Sequence, residues 1–420
     1  MIQFGRYSDS YKGKDKIEKW NLSEQKYFEK RYIESYKNFL EYLGNDNIDN
    51  IKYSADENKI IFEFYQGSKI IKGLIENDKI ICEAEIAEFD KLSIPVMRRL
   101  LEMNYNLFYS RYALKENKIC IIFNSTFEAS PPRKLYFSWR ELATRADKQD
   151  DLLIDDFKNL KTIGNAHIIQ IPEKEKELKY KYFKLWIGKA ISRINELNED
   201  AAAGGISYLL LNTIYKIDYL IAPEGTLMTQ LEKLSWEYFA NDNKPFTEKN
   251  RKLKEEFIKL SELSKENFYE DIYKVTSTFG IANPAPHQAV IDLCNNNLKN
   301  VKWYLDNNYT DIALAIYEYI ATYCLFTYGL PKPDIKLFHL MINIINQDYF
   351  TELNEGEILY DKNKNLFSTE IINNKINEII KAGKEQYPEL NFDISSLKYD
   401  SLQNFLRTYL HNIEKLNYNL

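Results

Sequence analysis

Residues 92–125, LSIPVMRRLLEMNYNLFYSRYALKENKICIIFNS, change hydrophobic period partway along. Up to Leu107 the apolar residues Val96, Met97, Leu100, Leu101 and Leu107 fall at helical spacing, with Arg98, Arg99 and Glu102 beside them. Ser93 can cap this helix, and Pro95 suits its first turn, where a missing N–H costs nothing. Beyond it, FYSRYAL and KICIIFNS alternate as strands do, across a turn at Lys115-Glu116-Asn117. A helix wedged directly between strands predicts an α+β domain.

The flanks complete that domain. SEQKYFEKRYIESYKNFLEYLG predicts one helix with Phe28, Tyr32, Tyr36, Phe39, Leu40 and Leu43 on one face, stopped by Gly44. Three strand-like runs follow: KIIFEFYQG, KIIKGLIEND and KIICEAEIAEF. The last puts Ile80, Cys82, Ala84 and Ile86 on one side and Ile81, Glu83, Glu85 and Ala87 on the other. One apolar and one mixed face predict an antiparallel sheet covered on one side. Pro131 and Pro132 introduce a further helix, RKLYFSWRELATRADKQDDLLIDDF. The predicted order is helix, three strands, helix, two strands, helix, closing an N-terminal α+β domain over residues 1–160.

The remainder, residues 161–420, reads as an all-helical domain. A loop-like piece with one short apolar run, TIGNAHIIQIPEKEKE, leads into it. Helices are expected at 176–198, 201–221, 224–241, 247–263, 265–279, 286–306, 310–329, 333–347, 369–384 and 399–416. A small hairpin is expected near 357–367, turning at Asp361-Lys362-Asn363. No period of tetratricopeptide or HEAT length is apparent.

With 45% hydrophobic residues, 420 residues suffice for more than one packed core. A formal net charge of −6 gives no bulk attraction to nucleic acid or anionic lipid. No nucleic-acid or membrane partner is therefore expected. The first twenty residues lack an apolar signal segment, and no run reaches membrane-span length. The four cysteines, Cys82, Cys120, Cys294 and Cys324, are far apart and expected to be reduced, half-buried thiols in a cytoplasmic protein.

Motifs that carry chemistry are scarce. His167, His287, His339 and His411 have no metal-ligand spacing. His287 and Asp292 would sit about 140° apart around a helix and cannot face each other. The acidic run DKQDDLLIDD lacks the EF-hand pattern and reads as a solvated helix face. AAAGGIS lacks phosphate-loop spacing and reads as tight helix packing. No catalytic, cofactor-binding or metal-binding residue is assigned. The aromatic groups Tyr136, Phe137, Trp139 with Arg140, and Trp303 with Tyr304, are either packing residues or binding hot spots.

The element order of residues 24–160 resembles the type III secretion chaperone-like fold, which includes the class I secretion chaperones and the YbjN-like proteins. The residues that carry the resemblance are SIPVMRRLLEMNYNLFYSRYALKENKICIIFNS. In that family the same helix ends in a Leu-Leu-x-x-Asn type segment, here Leu100 to Asn104, directly before a strand hairpin. Residues 161–420 carry no such resemblance. The resemblance implies a twisted antiparallel sheet with helices on one side, a domain that dimerises, and capture of extended client segments without catalysis. The expected function is a non-enzymatic, chaperone-like adaptor that holds a protein or peptide partner, at a sheet edge or a groove between the domains, without a cofactor. The candidate interface residues are Met97, Leu100, Leu101, Trp139 and Arg140. The alternatives are an enzyme whose helical domain holds a site without a linear motif, and a structural subunit of a larger complex.

Overall fold

The computed structural model describes residues 4–164, 167–353 and 356–419. The chain opens with α1 (Lys14–Phe28) and α2 (Tyr32–Leu43). The single expected helix is thus two. Lys30 adopts a left-handed backbone (φ 60°) and reverses the chain. No proline or glycine marks this break, and the apolar period continues across it, so the pattern alone reads as unbroken. Ser23 and Ser35 fasten the helix pair, each hydroxyl donating to the other's carbonyl at 2.8 and 2.7 Å.

The sheet follows: β1 (Ile51–Ala55), β2 (Ile60–Gln66), β3 (Lys69–Glu76), β4 (Lys79–Phe89), then α3 (Ile94–Tyr105), β5 (Arg111–Lys115) and β6 (Lys118–Thr126). α4 (Pro132–Asp156) and β7 (Leu160–Thr162) close the region. The α+β class and the helix between strands stand as expected. One strand, β1, precedes the three expected ones. Its residues IKYSA are largely exposed and show no apolar alternation, so no burial pattern announced it. Strand order is β1-β2-β3-β4-β6-β5, all antiparallel, with β7 pairing the end of β4.

The two faces of β4 separate as the sequence predicts up to Ile86. Ile80, Cys82, Ala84 and Ile86 are buried, whereas Ile81 is exposed. Ala87 departs from the expectation. A register shift between Glu85 and Ala87 turns it inward, and β7 pairs there. Helices α2 and α4 supply Tyr36, Phe39, Leu40, Leu135, Trp139 and Leu142 to the buried core of the sheet domain. The outer face carries cross-strand ion pairs, Lys115 with Glu83 and Lys118 with Glu85, both at 2.7 Å.

From β8 (Ile169–Gln170) onward the chain is mostly helical. α5 (Glu173–Asn195), α6 (Ala203–Lys216), α7 (Gly225–Phe239), α8 (Phe246–Ser261) and α9 (Lys265–Glu270) come first. Two short strands, β9 (Tyr273–Lys274) and β10 (Asn283–Pro284), precede α10 (His287–Asp306) and α11 (Thr310–Thr327). β11 (Tyr328–Gly329), α12 (Lys332–Ile345), α13 (Gln347–Glu352), β12 (Tyr360–Asp361), β13 (Leu366–Phe367), α14 (Thr369–Gly383) and α15 (Leu402–Glu414) complete it. The expected hairpin is present, with Tyr360 opposite Phe367. In the loop expected at 162–177, Asn165 and Ala166 lie outside the described residues.

Two departures matter for function. After α6 the chain forms a π-helical turn, Ile217–Ile221, ending at a left-handed Ala222 (φ 48°). And α9 stops nine residues before the expected helix end at 279. The chain then leaves the helical region and places Phe279 in the core of the sheet domain. Buried apolar residues form two clusters, one from Tyr36 to Leu160 with Phe279, the other from Ile171 to Leu416.

Candidate interaction faces

α3 has two apolar faces. Val96, Leu100 and Met103 turn inward and are buried in the sheet-domain core. Ile94, Met97, Leu101 and Tyr105, spaced by three, four and four residues, form a second row. They are 63, 40, 70 and 90% exposed. Phe108, in the turn after the helix, is 89% exposed. The five candidate interface residues therefore divide. Met97 and Leu101 lie on the outer row. Leu100 is only 7% exposed and belongs to the core, because helical periodicity places it about 100° from Leu101.

Trp139 and Arg140 are corrected as well. Trp139 is fully buried, its ring stacked on Phe62 with centroids 4.5 Å apart. Arg140 is an internal strut. Its guanidinium donates to the carbonyls of Gly280 and Ile281 at 3.1 Å and to Asn283 Oδ1 at 3.0 Å. It ties α4 to the loop returning from the helical region. Trp303 is exposed and Tyr304 buried, so that pair does not form a common surface.

A carboxylate holds the Phe108 turn. The backbone N–H groups of Phe108, Tyr109 and Ser110 donate to Glu141 at 2.8, 2.9 and 2.9 Å, and the Ser110 hydroxyl donates at 2.6 Å. Burial alone would raise the Glu141 pKa. The Ser110 hydroxyl and the three N–H groups outweigh it and hold the carboxyl below its ordinary range. Sequence reasoning missed Glu141, because its partners lie about thirty residues away in a turn.

The sheet has two end strands. On β5, Asn104 of α3 caps the outward groups of Tyr112, accepting from its N–H at 2.6 Å and donating to its carbonyl at 3.2 Å. The Asn of the Leu-Leu-x-x-Asn segment thus guards an edge. On β1, the Asn50 carbonyl accepts from Tyr65 N–H at 3.0 Å, so by alternation Ile51, Tyr53 and Ala55 point their backbone groups outward. No backbone partner meets these groups among the described residues. A 660 Å³ cleft lined by Lys16, Glu41, Asn47 and Tyr53 runs beside that strand.

The helical region holds a 410 Å³ pocket whose floor is the buried Glu318 carboxylate. Glu318 accepts from Asn212 at 2.6 Å and Asn346 at 2.7 Å, and pairs with Lys216 at 2.7 Å. Both of its oxygens are taken, so it reads as a satisfied buried network.

The remaining chemistry-bearing residues fall elsewhere. His287 pairs with Asp334 through Nδ1 at 3.0 Å, a partner forty-seven residues away, while Asp292 accepts from Gln288. Burial alone pushes His339 down to about 3, and its Nε2 meets the Tyr219 hydroxyl at 2.7 Å. Gly205 sits against Ile312 of α11, where a Cβ would come within 2.8 Å of a methyl group, so AAAGGIS is a packing element as expected. All four cysteines are free and fully buried rather than half-buried. No cluster of three or more metal-ligating side chains occurs among the described residues. No helix there is long and apolar enough to cross a membrane.

The acidic run is the largest correction. Only Asp155 and Asp156 face solvent. Asp150 is buried, paired with Lys69 at 2.8 Å, and Asp147 accepts from Ser68 N–H at 2.8 Å. Asp151 and Asp271 converge on Gly225 at the start of α7. The pattern misleads because α4 lies between the sheet and the helical region, so its polar side is covered by other polar groups. Neither a protein-family model nor any curated protein matches this chain.

Proposed function

We propose that the protein is a non-enzymatic polypeptide-binding protein of adaptor or chaperone-like kind, which captures an apolar partner segment on the outer row of α3. The exposed row Ile94, Met97, Leu101 and Tyr105, extended by Phe108, carries this reading. An amphipathic helix in a monomer ordinarily keeps one apolar face, and a contiguous second face is characteristic of an interaction site. The rim selects the partner. Arg98, exposed, and Arg99, half-buried, lie on α3 beside the row, which favours an apolar segment flanked by acidic residues. The resemblance to the secretion chaperones points to the same class of activity. The open β1 edge offers such a partner a second, backbone-mediated attachment.

The test is fluorescence anisotropy with a labelled twelve-residue peptide, a Leu/Phe core flanked by glutamates, against the same core flanked by lysines. The acid-flanked peptide should bind at least about tenfold more tightly, and Leu101→Asp should weaken it by about tenfold or more, near 1.4 kcal/mol. If a folded Leu101→Asp protein binds as well as the parent, the outer row of α3 is not the site.

A further inference from the structure

Residues 4–12, FGRYSDSYK, cross the junction between the two cores as a strap without helix or strand, bent at Gly5 (φ 86°) and Tyr11 (φ 52°). Side chains anchor it at each stage. Phe4 stacks on His339 with centroids 4.3 Å apart and meets Phe350 at 5.0 Å. Arg6 pairs with Asp218 at 2.9 Å and Glu224 at 2.8 Å, and also donates to the Pro223 carbonyl. Asp9 accepts from Gly280 N–H at 2.8 Å and from the Tyr136 hydroxyl at 2.7 Å. Lys12 donates to the Tyr42 carbonyl at 2.8 Å. No backbone-to-backbone hydrogen bond holds residues 4–12 among the described residues.

The channel is shaped for a passing backbone. A Cβ on Gly280 would come within 2.7 Å of Asp9 Oδ1, and one on Gly329 within 2.1 Å of Ser10 Oγ. Two glycines from separate segments, the loop at Gly280 and the short strand β11, therefore clear the path. The channel also contains receptors of defined chemistry: an aromatic slot, a carboxylate pair made of buried Asp218 and half-buried Glu224, and an N–H with a hydroxyl for an anion. This is how a peptide groove is built, with the chain's own residues 4–12 in the ligand's place.

We propose that the junction groove is a peptide-binding site that residues 4–12 keep closed, and that its partner is a segment with the same pattern: an aromatic residue, arginine two positions later and aspartate three positions beyond that. Asp218 and Glu224 choose the arginine, since an empty groove would leave the buried Asp218 and the half-buried Glu224 without this cation. An attached strap competes at an effective concentration on the order of 1 mM, so an equally good free peptide at about 10 µM would fill about one groove in a hundred. Opening therefore requires that the strap be held or displaced by a partner. The proposal uses the polypeptide-binding reading for its purpose, but its site is separate from α3.

The experiment titrates a labelled FGRYSDSYK peptide into the full-length parent and into a Phe4→Ala/Arg6→Ala/Asp9→Ala/Lys12→Ala variant, whose strap lacks its four named anchors and whose groove is unchanged. Saturable binding is expected in the variant, about 100-fold weaker apparent binding in the parent, and loss of binding when the peptide's arginine is replaced by alanine. Adding Gly329→Val to the variant should abolish binding, and adding Leu101→Asp should leave it intact, which separates this site from α3. Absence of binding by the folded variant overturns the proposal, as does equal binding of the alanine peptide or the exchange of straps between two copies. Amide exchange of the parent tests it independently. The Gly280 N–H, which donates to Asp9 Oδ1, should exchange well before the amides of α6 and α11, and its exchange only by global unfolding would make the strap ordinary core.

Discussion

Trp139 and Arg140 show how adjacent residues part company. Both belong to an aromatic-basic group that reads either as packing or as a binding hot spot, and in the fold one is sheet core and the other a strut. Truncating Trp139 to alanine should cost about 3–5 kcal/mol, seen as a lower urea midpoint, because it empties the space between Phe62 and Phe39. Asp151 is a different case. Burial first, and the nearby Asp150 charge second, push its pKa up to about 7. A carboxyl raised in the folded state stabilises least when it must ionise, so Asp151→Asn should raise the melting temperature at pH 8 by about 2 °C and change it little at pH 5. Equal shifts at both pH values would exclude ionisation as the cause.

At the level of elements, the sheet edges and the Phe108 turn are decisive. Tyr53→Pro removes an outward N–H of β1 that no described backbone group accepts, so the fold should survive. Any partner that adds a strand at this edge should lose at least about tenfold in affinity, read by titration, while binding confined to α3 should be unaffected. Glu141→Gln tests the turn. The carboxylate accepts from four donors and its pKa is depressed, so its contribution is present above the ordinary carboxyl range and is lost as the pH falls through its folded value. The variant should speed amide exchange at Phe108 to Ser110 at pH 7 and leave the β4 amides unchanged. The helix between strands was legible because its apolar period is strong. β1 was not, since an exposed edge strand has no burial pattern to display.

Across the whole molecule, the junction carries more carboxylate than cation. Asp147, Asp150 and Asp151 of α4 meet Glu224, Asp271 and Tyr273, Asp218 lies beside Glu224, and Lys69, Arg6 and Lys179 oppose them. Burial raises Glu224 to about 7 and Asp271 to about 6. Together with Asp151 these groups bind protons in the folded state that the unfolded chain has released. Their contribution is fully present below about pH 4, the ordinary carboxyl value, and is lost as the pH rises to about 7. His339, lowered to about 3, acts in the opposite direction, since its unfolded form gains a proton below about pH 6.5. Melting temperature should therefore rise between pH 8 and pH 6.5, before the histidine opposes it. A flat profile by calorimetry over that interval would mean that the junction carboxylates are already compensated.

The sequence by itself determined the fold class, the two-faced β4, the small hairpin and most of the helices, because each is written in an apolar period shorter than its own element. It also placed Met97 and Leu101 on a candidate surface. Only the tertiary structure decided that Leu100, Trp139 and Arg140 are internal, that α9 ends early to send Phe279 into the other core, and that residues 4–12 fill the junction. Those outcomes rest on partners tens to hundreds of residues away, such as Arg6 with Asp218 and Arg140 with Gly280. A local pattern records which face of an element is apolar. What covers that face, and which charges meet there, is settled only when distant segments come together.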